Sequence, residues 1–211
     1  MLGAVMRDGL SPPELLAAYS RGIFPMAHEG RINWFAPDPR AILPLDDFRI
    51  ARSLRTTIRR GVYAVTVNRA FEAVIDACAD RPDGTWISQE IRAAYIQLHH
   101  RGFAHSVEAW KDEQLAGGLY GVAIGGAFFG ESMFHRSPDA SKVALAHLVE
   151  RMKRRGMVLL DIQFMTEHLR QFGAIEVRRS KYEEMLKQAI ALPVSFLDPG
   201  EPGDSISNDG P

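Results

Sequence analysis

The stretch from residue 104 to residue 164 constrains the fold more than any other part of the sequence. Its apolar runs predict three strands joined by tight turns, the second turn being Gly125-Gly126, and the strands are expected at 104–110, 115–124 and 127–134. A predicted helix at 140–155 then leads to an apolar strand at 157–164. Since two strands joined through a helix pair in parallel, an antiparallel meander here continues into a βαβ unit. This order predicts a mixed sheet and an α+β (mixed α/β) fold.

The flanking segments add helices on both sides of that sheet. Ser11-Pro12-Pro13-Glu14 is a capping box with proline in the first helical turn, and Gly22 is placed to end that helix. Residues 22–40 are rich in proline, glycine and aromatic side chains and predict an ordered loop or short strands. The remaining pattern predicts helices at 49–60, 71–78, 88–101, 166–172 and 181–190, and strands at 63–67 and 174–178.

Composition excludes several classes of protein. There are 25 Lys+Arg against 26 Asp+Glu, a formal net charge of −1, and hydrophobic residues make up 46% of the chain, enough for a core. No apolar run reaches the roughly 18–20 residues of a membrane span, and the first eight residues predict no signal peptide. The single cysteine, Cys78, fits a reducing cytoplasm and argues against structural zinc. Near-neutral charge is weak evidence against nucleic-acid binding.

Charge is distributed unevenly along the chain. Residues 193–211 are rich in Pro, Gly, Ser and Asp and predict a disordered acidic tail that forms no core. Without the four acidic residues of that tail, 25 basic face 22 acidic residues, a charge of +3. Arginines concentrate at 49–60, with positions 52, 55 and 59 on one helical face, and at 151–155. These two clusters are candidate phosphate-contacting surfaces, although basic residues at 151–155 also suit the end of a helix.

Two places carry polar groups that could do chemistry. In Leu159-Leu-Asp-Ile-Gln163, period-2 geometry places Asp161 and Gln163 on one face of a buried strand, where they could orient an amine or form a structural pair. Glu131 follows two phenylalanines in another strand. If the two strands are neighbours, two carboxylates face one pocket, and otherwise Glu131 lies at a solvated edge. Three glycines at 117, 118 and 121 indicate either a bulge or a close approach of ligand or backbone.

Eight segments occur in an order that resembles the leucyl/phenylalanyl-tRNA–protein transferase family. The resemblance covers about residues 8 to 186. The segments read Tyr19-Ser-Arg-Gly-Ile-Phe-Pro25, Trp34-Phe-Ala-Pro-Asp-Pro-Arg40, Gly84-Thr-Trp-Ile87, Ala104-His-Ser-Val-Glu108, Gly117-Gly-Leu-Tyr-Gly121, Gly130-Glu-Ser-Met-Phe134, Ala140-Ser-Lys142 and Leu160-Asp-Ile-Gln163. The resemblance implies a small N-terminal domain at 1–45, a GCN5-related N-acetyltransferase-like catalytic domain at 46–192, and the tail at 193–211.

The resemblance also implies an activity. Such enzymes transfer Leu or Phe, and less readily Met, from aminoacyl-tRNA to proteins that begin with Arg or Lys, which marks those proteins for degradation. We therefore expect aminoacyl-tRNA as donor, a protein N-terminus as acceptor, no membrane partner, a cytoplasmic location and a monomer. The donor is an activated ester, so no metal or other cofactor is expected.

Site residues follow from the same resemblance. It implies Asp161 and Gln163 as the catalytic pair, and the donor's side-chain pocket is expected at Leu119, Phe128, Leu145, Met152 and Leu160. Adenosine and tRNA contacts are expected at Trp86, Met26, Tyr19, Arg52, Arg55, Arg59, Arg151 and Arg154. Met26 stands where the family usually has tryptophan, and aromatic residues are common at the position of Met152. Stacking on a base is worth about 1–3 kcal/mol, so Met26 gives a softer contact.

Two hypotheses and two alternatives complete the prediction. Asp161 is expected to polarise Gln163, whose amide oxygen orients the attacking amine, while Glu131 attracts the cationic acceptor. An acyl-CoA-dependent N-acetyltransferase of the same fold is one alternative, although the junction at 135–141 lacks the usual glycine-rich loop. The other is a non-catalytic RNA-binding module that uses the arginines and the tryptophans at 34, 86 and 110.

Overall fold

The computed structural model describes residues 10–82 and 84–201. The helices in these residues are α1 (Pro12–Tyr19), α2 (Arg52–Arg59), α3 (Phe71–Ala79), α4 (Gln89–His100), α5 (Ala140–Arg154), α6 (Glu167–Arg170) and α7 (Arg179–Ile190). The strands are β1 (Phe24–His28), β2 (Arg31–Phe35), β3 (Arg40–Ile42), β4 (Ala64–Val67), β5 (Ala104–Lys111), β6 (Gln114–Ile124), β7 (Ala127–His135), β8 (Leu159–Gln163) and β9 (Ile175–Val177). Each predicted helix and strand has a counterpart.

Seven strands form one mixed sheet in the order β4-β5-β6-β7-β8-β3-β9. β5, β6 and β7 make the predicted antiparallel meander, and β7 pairs with β8 in parallel through the crossover helix α5. The other neighbouring pairs are antiparallel. The mixed sheet and the α+β fold class are therefore confirmed.

The large sheet lies between two apolar cores. Consecutive side chains on one strand point to opposite faces, so Phe129 and Leu159 join one core while Phe128 and Leu160 join the other. Helices α1, α3, α4 and α7 cover the first face, and α2 and α5 cover the second. The result is a three-layer arrangement in which alternate residues along β7 and β8 face opposite cores.

The N-terminal region contributes to both sheets. α1 begins as predicted, with the Glu14 carboxylate accepting hydrogen bonds from Ser11 N and Oγ at 3.1 and 2.6 Å. β1 and β2 form a separate two-stranded hairpin within the predicted loop region. β3, however, lies between β8 and β9 in the large sheet. The large sheet thus includes one strand from the segment before residue 45, and that strand is too short to give a sequence signal of its own.

Glycines in β6 let neighbouring chain segments approach closely. A Cβ added at Gly121 would lie 2.2 Å from Phe129 O, next to an irregularity in the β6–β7 register. A Cβ at Gly117 would lie 2.6 Å from the Cβ of Ala140, at the start of α5. Of the two interpretations of this glycine run, both a bulge and a close backbone approach are present.

Part of the predicted disordered tail is ordered, which corrects that expectation. Phe196 and Leu197 are 2% and 3% exposed and belong to the core on the α5 face. The Phe196 ring stacks on His105 with a centroid distance of 4.5 Å. Two apolar residues suffice to fold this segment back, although the composition around them is typical of disorder. Residues 202–211 lie outside the described residues.

Within the part of the chain that the structure describes, no helix is both long and apolar enough to cross a membrane.

Candidate active site

The site forms where two parallel strands stop pairing. The β7–β8 register runs from Ala127↔Leu159 to Phe129↔Asp161. Glu131 and Gln163 each follow two residues later, so their side chains occupy equivalent positions on adjacent strands and face each other. Gln163 Nε2 donates a hydrogen bond to Glu131 Oε1 at 2.9 Å. Of the two possibilities left open for Glu131, the structure has its strand next to that of Asp161.

Gln163 holds a strained position at the end of β8. Its φ is +64°, which few non-glycine residues adopt, and its backbone N–H donates to Asp161 Oδ1 at 2.9 Å. The residue is 6% exposed and lines the cavity described below. Its amide nitrogen is engaged by Glu131, whereas its amide oxygen accepts no hydrogen bond from the described residues. That oxygen is therefore available to a ligand.

Asp161 lies behind the site and does not line the cavity, which corrects the expectation of two carboxylates facing one pocket. Arg40 binds it through two nitrogens, with Nε donating to Oδ1 at 2.9 Å and Nη2 to Oδ2 at 2.6 Å. The Tyr182 hydroxyl donates to Oδ2 at 2.6 Å. With the Gln163 N–H, these bonds occupy both carboxylate oxygens, because a buried charge needs full compensation.

Arg40 is a functional residue that the sequence prediction missed. Its guanidinium carbon lies 4.7 Å from the ring centroids of both Phe24 and Tyr182, and Nη1 donates to Gly22 O at 3.1 Å. It is 1% exposed. The signal was present in Arg40-Ala-Ile-Leu, where an arginine opens an apolar run, since such a residue needs a buried anion.

Glu131 is the one carboxylate among the described residues that line the cavity. Tyr19 donates to Oε1 at 2.7 Å and Tyr95 to Oε2 at 3.0 Å. Burial raises the pKa of Glu131 to about 7, although the hydrogen bonds from the two tyrosines and Gln163 oppose that shift. Burial likewise raises the pKa of both phenols well above the usual range, so they remain donors at neutral pH.

Tyr19 corrects a predicted role. It was expected among the adenosine and tRNA contacts, but its side chain is fully buried under α4, where its hydroxyl contacts the Tyr95 hydroxyl and donates to the Glu131 carboxylate. It positions Glu131 from inside the protein. Its place on the inward face of α1 explains the difference, since that face packs into the first core.

The cavity beyond the last paired residues has a volume of about 410 Å³. One part of its wall is apolar, with Leu119, Leu145 and Leu160 as predicted and Leu148 in addition. Phe128 and Met152 are fully buried in the same core behind that wall and do not line the cavity, which corrects their predicted place. The apolar wall and the Glu131–Gln163 pair share one space, so a ligand can contact both.

Trp86 and Met26, two of the predicted adenosine contacts, both line the cavity. Two further lining residues were missed. Arg81 donates from Nε to Cys78 O at 3.0 Å and from Nη2 to Ser132 Oγ at 2.8 Å, and the Tyr120 hydroxyl is buried without a partner in the described residues. Arg81 lies just before the Gly84-Thr-Trp-Ile87 segment and Tyr120 lies within Gly117-Gly-Leu-Tyr-Gly121, and neither gave a signal of its own.

The two predicted basic surfaces differ in exposure and in ion pairing. Arg52, Arg55 and Arg59 are exposed on one face of α2, and no described side chain forms an ion pair with them. Arg151 is instead 7% exposed and bound by Asp198 and Glu201, while Arg154 pairs with Asp198 at 2.9 Å. The prediction of a free phosphate-contacting surface at 151–155 is corrected, because the folded acidic segment neutralises it.

No group of three or more His, Cys, Asp or Glu residues arranged to hold a metal ion occurs within residues 10–82 and 84–201.

Comparisons with known proteins agree on one family. The family described as leucyl/phenylalanyl-tRNA protein transferase matches residues 42–187, and its N-terminal domain matches residues 8–38. Similar proteins named leucyl/phenylalanyl-tRNA–protein transferase occur in Gloeobacter violaceus, with 54% identity over 89% of this chain and 97% of the relative, and in Salinibacter ruber, with 53% identity over 88% and 82%. The solved L-PGS structure from Bacillus licheniformis aligns with a TM-score of 0.45 and 14% identity, covering 72% of this chain and 65% of that one. From the family match and these relatives, the chain belongs to the leucyl/phenylalanyl-tRNA–protein transferase family.

Proposed function

We propose that this protein transfers Leu or Phe, and less readily Met, from aminoacyl-tRNA to the N-terminal Arg or Lys of acceptor proteins, which marks them for degradation. Family membership supports the reaction, since its relatives are named for it. One observation carries the assignment of the site. The amide oxygen of Gln163 is unoccupied at a cavity that has an apolar wall on one side and Glu131 on the other.

The reaction needs positioning more than activation. The acceptor's α-amine attacks the ester carbonyl of the donor, the amide bond forms, and the bond to the ribose oxygen breaks. The amine must be neutral to attack; as the product forms, one proton leaves its nitrogen and the departing ribose oxygen takes up one, so the tRNA leaves with a free hydroxyl. Holding amine and ester together in one cavity supplies a large part of the rate gain in a reaction of this kind.

Gln163 is the residue that orients the amine. Its amide oxygen accepts an N–H from the α-amine and directs the nitrogen lone pair at the carbonyl. Glu131 fixes the direction of that oxygen, because its Oε1 accepts a hydrogen bond from the amide nitrogen of Gln163 at 2.9 Å. Asp161 acts through the backbone, because it accepts the Gln163 N–H and so retains the left-handed conformation. Asp161 is thus a positioning residue, a revision of the hypothesis that it polarises the Gln163 side chain directly.

Glu131 selects a cationic acceptor. When ionised, its carboxylate places a negative charge at the cavity, and an arginine or lysine at the acceptor's first position brings a matching positive charge. A buried carboxylate attracts such a cation more strongly than an exposed one, since solvent screens it less. Replacing Glu131 with glutamine should raise the KM for an Arg-initiated peptide more than it weakens donor binding.

The rest of the cavity suits the donor. The side chain of Leu or Phe fits against Leu119, Leu145 and Leu160, and the terminal adenine stacks on Trp86 with Met26 beside it. Outside the cavity, the exposed arginines of α2 offer a surface for the tRNA backbone. We also propose that the protein acts in the cytoplasm. We propose that it acts as a single chain, because one chain supplies all the residues named here.

A single-turnover assay tests the proposal. Radiolabelled Leu-tRNA, Phe-tRNA, Met-tRNA or acetyl-CoA is incubated with the enzyme and an Arg-initiated peptide, and only the aminoacyl labels should move. Gln163→Ala should lower the transfer rate by about 100-fold, the scale of a lost catalytic proton contact. Asp161→Asn should lower it as well while leaving donor affinity intact. Gln97→Ala, an exposed glutamine on α4, serves as the matched control. Near-wild-type rates for Gln163→Ala, or transfer of the acetyl label, contradict the proposal.

A further inference from the structure

A second cavity adjoins the active site at the start of α5. It is open to solvent, has a volume of about 620 Å³, and is formed by the β7–α5 junction and α6. Its walls include Arg136 and Lys142. His135, Ser141 and His168 line both this cavity and the active-site cavity. A chain-like ligand can therefore run from one into the other.

We propose that this second cavity binds the phosphodiester group that joins the terminal adenosine of the donor to the preceding nucleotide. The inference rests on the proposed function, since it takes the aminoacyl-adenosine to occupy the first cavity.

The charges around the cavity favour an anion. Arg136 is exposed, and apart from an Nη1 donation to Leu115 O at 3.4 Å its guanidinium has no hydrogen-bond acceptor among the described residues. Lys142 Nζ pairs with Asp139 Oδ1 at 2.9 Å, so one carboxylate competes for one of the two cations. His135 and His168 add ring nitrogens that can donate hydrogen bonds. A phosphodiester carries one negative charge, which matches the remaining positive charge.

The start of α5 and the Ser141 hydroxyl also suit an anion. Asp139, the N-cap of the 15-residue helix α5, makes no side-chain cap hydrogen bond, and among the first-turn N–H groups that of Ala140 donates to Ser137 O at 3.2 Å. Ser141 is 4% exposed, lines both cavities, and its hydroxyl has no hydrogen-bond partner in the described residues. Its oxygen is not fully enclosed, since Tyr120 carries the one fully buried side-chain atom without a partner in these residues, so the Ser141 hydroxyl can donate a hydrogen bond to a ligand at the shared wall.

Two other assignments fit less well. The acceptor begins with a cationic residue, and Arg136 and Lys142 would repel it. Arg81, at the first cavity, is another cation that could bind a phosphate. Its Nε and Nη2 already donate hydrogen bonds to Cys78 O, Ser132 Oγ and Met133 O. Arg136 and Lys142 make fewer hydrogen bonds to the described residues and so keep more N–H donors for a phosphate.

The test compares three stable donor analogues by calorimetric titration. The first is phenylalanine joined by an amide to 3′-amino-3′-deoxyadenosine, the second carries a cytidine through a phosphodiester at the 5′ oxygen, and the third replaces that link with an uncharged methylphosphonate. Wild-type protein should bind the second about tenfold more tightly than the first, as expected for a hydrogen bond to a charged group, and the third about as weakly as the first.

Single substitutions show which side chains cause the higher affinity for the analogue with the phosphodiester. Arg136→Gln and Lys142→Gln should each reduce the gain from the phosphodiester and leave the affinity for the first analogue unchanged. Asp139→Asn should increase the gain, since it frees Lys142, and asparagine tolerates the φ of +66° at this position. Lys181→Gln removes one exposed charge from α7 and is the matched control.

Each outcome decides one question. If the second analogue binds no better than the first, or if Arg81→Gln abolishes the gain while Arg136→Gln and Lys142→Gln keep it, the second cavity is not the phosphate site and the proposed function stands. If the first analogue does not bind at all, the proposed function and this inference both fall.

Discussion

At the scale of single residues, the ion pair between Arg40 and Asp161 supports the geometry of the whole site. Its two members are 121 positions apart in the chain and are both fully buried. Substituting one partner leaves the other as an uncompensated charge in an apolar environment. We expect Arg40→Met to destabilise the fold by about 3–5 kcal/mol, measured by urea unfolding at pH 7.

A surface pair of similar geometry is the control for this prediction. Arg92 binds Asp76 through two nitrogens on partly exposed helices. Arg92→Met should cost less than about 1 kcal/mol, because solvent screens that pair and compensates for its loss. Equal losses for the two arginine variants would show that burial does not set the strength of the Arg40 pair.

Glu131 should make stability depend on pH. Its pKa is about 7 in the folded protein against an ordinary value of 4.5, so the folded state binds more protons between these values. The free energy of unfolding should therefore fall as the pH rises from 4.5 through 7. Glu131→Gln removes this dependence, since its amide oxygen can still accept from Tyr19 and Gln163 while its nitrogen donates to Tyr95.

Urea unfolding of both proteins at several pH values between 5 and 8 measures the difference. The wild-type curve should slope downward relative to that of Glu131→Gln across this range. Parallel curves would mean that Glu131 titrates near its ordinary value and is better solvated than its 9% exposure indicates.

At the scale of elements, the contact between β6 and β7 depends on a missing side chain. A Cβ at Gly121 would lie 2.2 Å from Phe129 O and 2.4 Å from a ring carbon of Phe128. We expect Gly121→Ala to destabilise the fold by about 1–3 kcal/mol, the usual cost of overpacking, seen as a lower thermal midpoint. At Gly130 the nearest atom to an added Cβ is 3.5 Å away, so Gly130→Ala should have a much smaller effect on stability.

The elements also show what a single sequence can predict. The meander, α4 and α5 carry local signals such as turn glycines, the Ser88 cap and apolar periodicity, and the structure reproduces them with small shifts at the ends. β3 has three residues, too few for a periodic signal, and it is a strand because β8 and β9 flank it. The Tyr19–Glu131 contact joins α1 to β7, a relation between distant elements that no local pattern contains.

At the scale of the whole molecule, the last described residues complete the core and compensate its charge. Truncation after Val194 removes Phe196 and Leu197 and leaves Arg151 without Asp198 and Glu201. Loss of one buried phenylalanine typically costs about 3–5 kcal/mol, so this truncation should unfold the protein at much lower urea. Truncation after Glu201 keeps every contact named here and should leave the urea midpoint unchanged.

The net charge of −1 is a sum of regions with different roles. The acidic segment 198–201 forms ion pairs with the arginines at the end of α5, so their charge is neutralised within the molecule. The arginines of α2 remain exposed and keep theirs. The net charge therefore does not distinguish the paired arginine cluster from the exposed one, because a charge count does not say which charges meet.

The position of β3 makes the protein a natural candidate for a split enzyme. A fragment ending at residue 45 carries Tyr19, Met26 and Arg40, and a fragment beginning at residue 46 carries Glu131, Asp161 and Gln163. Because β3 lies between β8 and β9, the second fragment alone has a vacant strand position between β8, which carries Asp161 and Gln163, and the edge strand β9. We expect neither fragment alone to transfer the amino acid, and we expect mixing to restore transfer because β3 of the first fragment inserts between β8 and β9 of the second.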